Sequence, residues 1–400
     1  MAVFAWKGKN RYGDVVDGER VAKSMADLTR TLKREQITVF DVSKKKVEIK
    51  IPFLKREKVN LKELAVYSRQ ISVLVDADLP LIQSLTMLAD QTKNNYFKTV
   101  IQTIRKDVEA GSTLNEAKRK FPNVFDNLYC NLVASGEQSG SLDVMLRRLA
   151  EYLESIVKLK AQIKQAMTYP VAVLVFSIVV TIFMMWKVVP VFSNIFIELG
   201  ADMPLLTLVV LIISNFVQEY ILFIFLGFIG SIFLFRHFKK TKTGRRIVDQ
   251  SMLKMPLFGQ LFRKVAFSRI TRTLATLLSG GVPMLESLKI TSTTSGNVIL
   301  EDRIMAARTL VSEGGNLTDA LREKAFFPIM VTQMVSVGEA TGNLDSMLGK
   351  VADFYDDEVE TAVGSLISIL EPILLIFIGG LIGSIVISMY LPVFSLMQQF

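Results

Sequence analysis

One histidine and one cysteine, His237 and Cys130, are all the imidazole and thiol chemistry in this chain. A metal site or a Cys–His nucleophilic pair would have to bring these two together, and no ligand-spacing rule supports that. A lone thiol makes no internal disulfide, so Cys130 is expected as a small buried hydrophobe. No GxxxxGK[ST] loop is present, and no GxGxxG follows a strand. The GEQSG at 136–140 is not a nucleophile elbow, because its serine sits one place late and no strand leads into it. Carboxylates do gather at Asp353, Asp356, Asp357, Glu358 and Glu360. A divalent cation could sit there, but the spacing fits a solvated helix face better. The chain is therefore expected to be no enzyme, with no cofactor and no metal.

The chain is rich in repetition instead. GEQSGSLD (136–143) has a twin in GEATGNLD (338–345), so Gly136, Glu137 and Gly140 correspond to Gly338, Glu339 and Gly342. ADLPLIQSL (77–85) matches GGVPMLESL (280–288), and AGSTLNEA (110–117) matches EGGNLTDA (313–320). TYP (168–170) matches LEP (370–372), and VPVF (189–192) matches LPVF (391–394). A nearly constant offset over such a length marks a duplicated unit, a helical domain followed by a membrane span. The paired glycines are expected to shape a tight turn between helices. The paired glutamates either belong to that turn or face a partner. Arg69 and Arg272 occupy equivalent places and are candidates to pair with those glutamates.

The elements that carry these residues read mostly as helix. Half of the sequence is hydrophobic and its mean hydropathy is +0.37. Three apolar segments account for this: 170–186, a stretch within 205–235, and 372–390. Asn215, Gln218 and Glu219 interrupt the middle one. It reads as an interfacial approach followed by a span, or as one long tilted helix. Asn60 with Glu63 forms a cap pair ahead of an apolar face at Leu61, Leu64, Ala65, Ser68, Ile71, Ser72 and Val75. Pro80 and Pro283 start helices within the two copies, and Pro170 and Pro372 start the flanking spans. Residues 1–50 differ: alternation around an Asn10–Gly13 turn, a helix from Ser24, and strands at 38–42 and 47–51 make a small α+β module.

The expected organisation is that module at 1–50, a linker at 51–59, a first bundle of about six helices at 60–167 and a span at 168–190. A periplasmic or interfacial segment at 191–217 follows, then a span at 218–236, a second bundle at 237–371 and a span at 372–394. The fold class is mainly α, a polytopic membrane protein. No Lys or Arg occurs between 188 and 235 or after Lys350, whereas Lys158, Lys160, Lys164 and the run from Arg236 to Arg246 flank the spans. By the positive-inside rule both bundles and the N-terminus are cytoplasmic and the C-terminus periplasmic. The first 20 residues lack an apolar core, so no signal peptide is expected. The net charge of +9 is read as membrane-flanking rather than as a nucleic-acid footprint, and the run 236–246 could also meet anionic head groups. Gly379, Gly380, Gly383 and Ser384 in the third span, and Gly227 with Ser231 in the second, have the small-xxx-small spacing of close helix packing and self-association.

Taken together, the paired P-L/M-x-x-S-L segments, the paired G-E-x-x-G-x-L-D turns, the Tyr-Pro start of the first span and the twice-used P-V-F resemble the PilC/GspF family. These are inner-membrane platform proteins of type IV pilus and type II secretion machines. The opening F-x-W-K-G-K-x-x-x-G is similar to that family's N-terminal segment. The resemblance covers essentially the whole chain. It implies a non-catalytic membrane core that meets a cytoplasmic hexameric ATPase, pilins or pseudopilins, and other inner-membrane alignment-complex proteins. A secondary transporter is disfavoured by three spans without central ionisable groups, and a membrane enzyme by the missing chemistry.

Overall fold

Alternation in the first 44 residues builds a three-stranded antiparallel sheet. The computed structural model describes residues 2–9, 12, 15–22, 25–44, 58–198, 203–322 and 326–397. Strands β1 (Ala2–Lys9), β2 (Val15–Ala22) and β3 (Thr38–Lys44) lie in the order β2-β1-β3, and α1 (Met25–Arg34) precedes β3. Phe4, Ala22, Leu28 and Leu32 close a small core between sheet and helix. The expected turn residues Asn10 and Gly13, the cap Ser24 and the strand at 47–51 lie outside the described residues, as does most of the linker. This unit ends at Glu57, and a second begins at Lys58.

The second unit is helical throughout its described residues. Its first copy comprises α2 (Leu61–Asp76), α3 (Leu81–Gln91), α4 (Asn95–Glu109), α5 (Leu114–Arg119), α6 (Asn127–Ser139) and α7 (Leu142–Phe183). Asn60 and Glu63 cap α2 reciprocally, so two of the helix's orphan amides are satisfied. Leu64, Ala65, Ser68, Ile71 and Ser72 form its buried face, with Tyr67 beside them. Pro80 and Pro283 stand at N-cap positions, one residue ahead of their helices. After α7 come five π-helical residues, Met184–Val188, and then α8 (Val189–Glu198). The second copy follows α9 (Leu205–Lys240) and α10 (Lys242–Lys254): α11 (Phe258–Ser279), α12 (Met284–Thr294), α13 (Val298–Ser312), α14 (Leu317–Arg322), α15 (Ile329–Thr341) and α16 (Leu344–Met397).

Two proline assignments are corrected. Pro170 and Pro372 start no helix; each lies inside one, α7 and α16 respectively. An interior proline removes one backbone bond and costs about 3 kcal/mol in an exposed helix. A full break at a membrane boundary would leave several polar backbone groups without partners, which costs more. The last helix of each bundle therefore runs on into an apolar span.

Three stretches are long and apolar enough to cross a membrane: Leu142–Glu198, Leu205–Lys240 and Leu344–Phe394. The middle one is a single helix, without a break at 217. Its polar interruption is absorbed locally, because Gln218 Nε2 donates to Ser214 Oγ at 3.2 Å in the same helix. At 36 residues it is about 54 Å long, well beyond the roughly 30 Å of a hydrocarbon core. The three stretches meet around Met185, Val189, Val210 and Ile385. There Thr207 Oγ1 donates to the Ser388 carbonyl at 2.6 Å, and Ser214 Oγ to the Met185 carbonyl at 2.5 Å. From Ile221 to Lys240, α9 is exposed on every side.

Candidate functional site

The duplicated G-E-x-x-G segments build the same joint twice, and each residue has its own part in it. Gly136 lies where α6 crosses α7: a Cβ there would come within 3.0 Å of Leu142 Cα and Met145 Cβ. At Gly338 the corresponding approach to Leu344 Cα is 2.7 Å. Gly140 and Gly342 end α6 and α15 with φ of 70° and 72°, the left-handed conformation that spares glycine alone a steric cost. Between them stand the glutamates. Glu137 accepts from the Leu114 and Asn115 amides at 2.5 and 3.2 Å. Glu339 accepts from the Leu317 and Thr318 amides at 2.6 and 2.9 Å, and from the Thr318 hydroxyl. Each carboxylate thus satisfies two of the orphan donors at the start of a six-residue helix and complements its dipole.

This overturns the expected arginine pairing. Arg69 makes a two-pronged bond to Glu154 on α7, at 2.7 and 2.5 Å, and does not reach Glu137. Arg272 pairs with Asp353 and Asp356 on α16, each at 2.7 Å, and not with Glu339. Glu154 and Asp356 are equivalent positions of the two copies, so these are one ion pair repeated. The arginines fasten the first long helix of each bundle to its last. Both oxygens of each glutamate accept bonds inside the chain, which ties the carboxylates into the joint.

The two copies are also bonded to one another. Tyr152 and Thr273 share a buried hydroxyl–hydroxyl bond of 3.2 Å. Ser135 Oγ donates to the Gly280 carbonyl at 2.5 Å, and Gln162 to Glu360 at 2.9 Å. Asp356 is the hub of this seam, accepting from Ser155 of the first copy and from Ser268 and Arg272 of the second. Leu277, Val282 and Ile290 of the second copy complete the core of the first. Beside the seam lies a polar groove of about 700 Å³, lined by Arg148, Glu151, Arg272, Asp345, Asp353 and Asp357 among others. The acidic run is therefore partly paired: Glu358 holds Lys264 at 2.5 Å, Glu360 holds Gln162, and Asp353 and Asp356 hold Arg272. Among the described residues no group of three or more His, Cys, Asp or Glu is placed to hold a metal ion.

Cys130 is buried, and burial raises its pKa. His237 lies in the last turn of α9. Built Cβ atoms at Gly379, Gly380 and Gly383 would meet nothing within 4 Å, so within one chain these positions are open, and Ser384 beside them is exposed.

Lys118 escaped the sequence reading. It is fully buried, 3.3 Å from Tyr129 Oη, with its ammonium 4.6, 5.2 and 5.4 Å from the ring centres of Tyr129, Phe125 and Tyr67. Burial lowers its pKa from 10.5 to about 7. The signal was available: aligning the copies sets Lys118 against Leu321, a charged residue at a core position.

The duplicated joints, the seam and the three apolar stretches can be set beside known proteins. A family described as "Type II secretion system (T2SS), protein F" matches residues 67–190 and again 270–392, and "Type II secretion system protein F, N-terminal domain" matches 1–43. The chain belongs to the type II secretion system protein F family. It is 42% identical over 398 residues to the type IV pilus assembly protein PilC of Myxococcus xanthus, covering 99% of this chain and 95% of that one. PilC of Thermus thermophilus is 40% identical, with 99% and 98% covered. The type II secretion system protein F of Vibrio cholerae is 29% identical over 400 residues, again with 99% and 98% covered. The twofold match falls on the two copies, joints included.

Proposed function

We propose that this chain is an inner-membrane platform that couples a cytoplasmic hexameric ATPase to the insertion or extraction of pilin or pseudopilin subunits, as a non-catalytic part of the machine. One observation carries the reading beyond family membership. Each bundle's last helix continues past its internal proline into an apolar span, α7 from Leu142 to Phe183 and α16 from Leu344 to Met397. A helix is stiff along its axis, so a bundle displaced on the cytoplasmic side takes its span with it. The ion pairs Arg69–Glu154 and Arg272–Asp356 lock those helices to the bundles they would move with. In this reading both bundles and the N-terminal unit face the cytoplasm. The C-terminus faces the periplasm, and the open glycine face of the third span meets a second copy or another inner-membrane component.

The test uncouples bundle from span. Seven glycines are inserted after Ser365, exposed on α16, with seven alanines, about two helical turns, as control. The expected result for the glycine insertion is normal insertion and normal copurification with the ATPase, together with loss of pilus assembly or secretion. Normal assembly with the glycine insertion would overturn mechanical coupling through α16. Failure of the wild-type chain to copurify with an ATPase would overturn the partner.

A further inference from the structure

Three cations sit near the cytoplasmic start of the first span without a carboxylate. Lys160 and Lys164 lie one turn apart on α7, and Arg269 on α11 stands within electrostatic reach of Lys160. Among the described residues none of the three side chains has a hydrogen bond or ion pair. Two other cations of α11 are neutralised, Lys264 by Glu358 and Arg272 by two aspartates. Desolvation first, and the Arg269 charge second, lower the pKa of Lys160. Two like charges held together and partly out of water leave the site short of an anion.

Below the lysines the same face of α7 turns apolar. Lys160 and Lys164 head a groove of about 600 Å³ that continues along Ile163, Met167, Val171 and Ala172. Ile163 and Met167 are backed by the cluster that joins α7 to α11 and α16. The depth fits a bilayer. No charged residue stands between Lys164 and Lys187, a rise of about 35 Å against a hydrocarbon core of about 30 Å. Lys164 therefore lies at the head-group layer when the span is inserted, and Lys160 about 6 Å above it.

We propose that Lys160 and Lys164, with the groove beneath them, bind one anionic phospholipid: its phosphate between the two ammonium groups and an acyl chain along Met167 and Val171. A free phosphate would satisfy the cations but leave the groove empty. The apolar continuation favours the lipid. The basic end of α9, with Arg236, Lys239 and Lys240, also heads a groove, of about 760 Å³ along Ile232 and Phe235, but no buried cluster backs it to hold an acyl chain in place. It serves as the internal comparison.

The experiment is native mass spectrometry of the full chain in mild detergent, titrated with phosphatidylglycerol or phosphatidylcholine. The wild type is expected to retain one phosphatidylglycerol selectively. Lys160→Gln with Lys164→Gln should weaken retention about thirtyfold, equivalent to about 1 kcal/mol for each lysine. Val171→Trp, which fills the groove and leaves the charges, should also lose the lipid. Lys239→Gln with Lys240→Gln should keep it. Equal retention of both lipids, equal loss in both lysine pairs, retention by Val171→Trp, or displacement by excess inorganic phosphate would each overturn the proposal.

Discussion

Glu137 and Glu339 hold the first two backbone amides of α5 and α14 in the same way, one in each repeat. A six-residue helix is too short to be stable alone, so each depends on the carboxylate delivered by the following helix. Removing a cap of this kind costs about 1–2 kcal/mol. Glu137→Ala should therefore raise hydrogen exchange at the Leu114 and Asn115 amides by about five- to thirtyfold, and Glu339→Ala should do so at Leu317 and Thr318. The chain should stay inserted. Unchanged protection would mean that other bonds hold these helix starts.

Lys118 should make stability depend on pH. In the unfolded chain lysine titrates near 10.5, and in the fold Lys118 titrates at about 7 because burial disfavours its charge. Between these values the unfolded chain holds a proton that the folded chain lacks, so stability rises with pH through that window, by up to about 1.4 kcal/mol per pH unit. Below about 7 both states are protonated and the slope vanishes. Lys118→Met should abolish the slope and raise the stability of the first bundle at neutral pH. Thermal unfolding of the full chain at pH 7 and pH 9 checks this. An unaltered slope in the variant would assign it to other groups.

The repeated ion pair should not be worth the same in both copies. Arg69 and Glu154 are 36% and 44% exposed, whereas Arg272 and Asp356 are 22% and 26% exposed. Arg69→Met should cost less than about 1 kcal/mol, as exposed pairs do. Arg272→Met leaves Asp356 partly buried and short of its cation, and should cost about 2 kcal/mol. It should also loosen the seam to Ser155, seen as faster exchange in the middle of α7. Equal costs for the two variants would contradict this ordering.

Orientation is checked with fusions. A reporter joined after Ala201 should be active only as a periplasmic enzyme, and one after Lys242 only as a cytoplasmic one. Lys and Arg are absent from 188 to 235 and dense on either side of that interval. The reverse pattern at either site would invert the architecture.

Duplication, helical class and apolar spans were legible because they are written in period and composition. The repeat match runs in register with both copies, and the Asn60–Glu63 cap follows from local spacing. Partner choice was not legible. Glu137 and Arg69 look complementary by charge, but which groups meet depends on how α5, α6 and α7 pack. The carboxylate meets amides of α5, and the arginine meets a glutamate further along α7. The prolines misled for a related reason. Pro170 and Pro372 carry a boundary signal, yet the lack of water around an apolar helix outweighs it. Lys118 stayed hidden because a lysine within LNEAKRK reads as solvent-facing until the two copies are aligned.

The contact among the three apolar stretches has a consequence for the order in which the protein is made. Met185, Val189, Val210 and Thr207 are synthesised long before Ile385 and Ser388, which complete that contact. Until Ser388 is made, the Thr207 hydroxyl lacks the acceptor it has in the finished fold, whereas both partners of the Ser214–Met185 bond are already present in the chain. Tertiary closure of the spans is thus a late event, triggered by the arrival of the last one. A nascent chain arrested before Ile385 would carry an inserted but unsealed pair of helices, a natural substrate for membrane quality control.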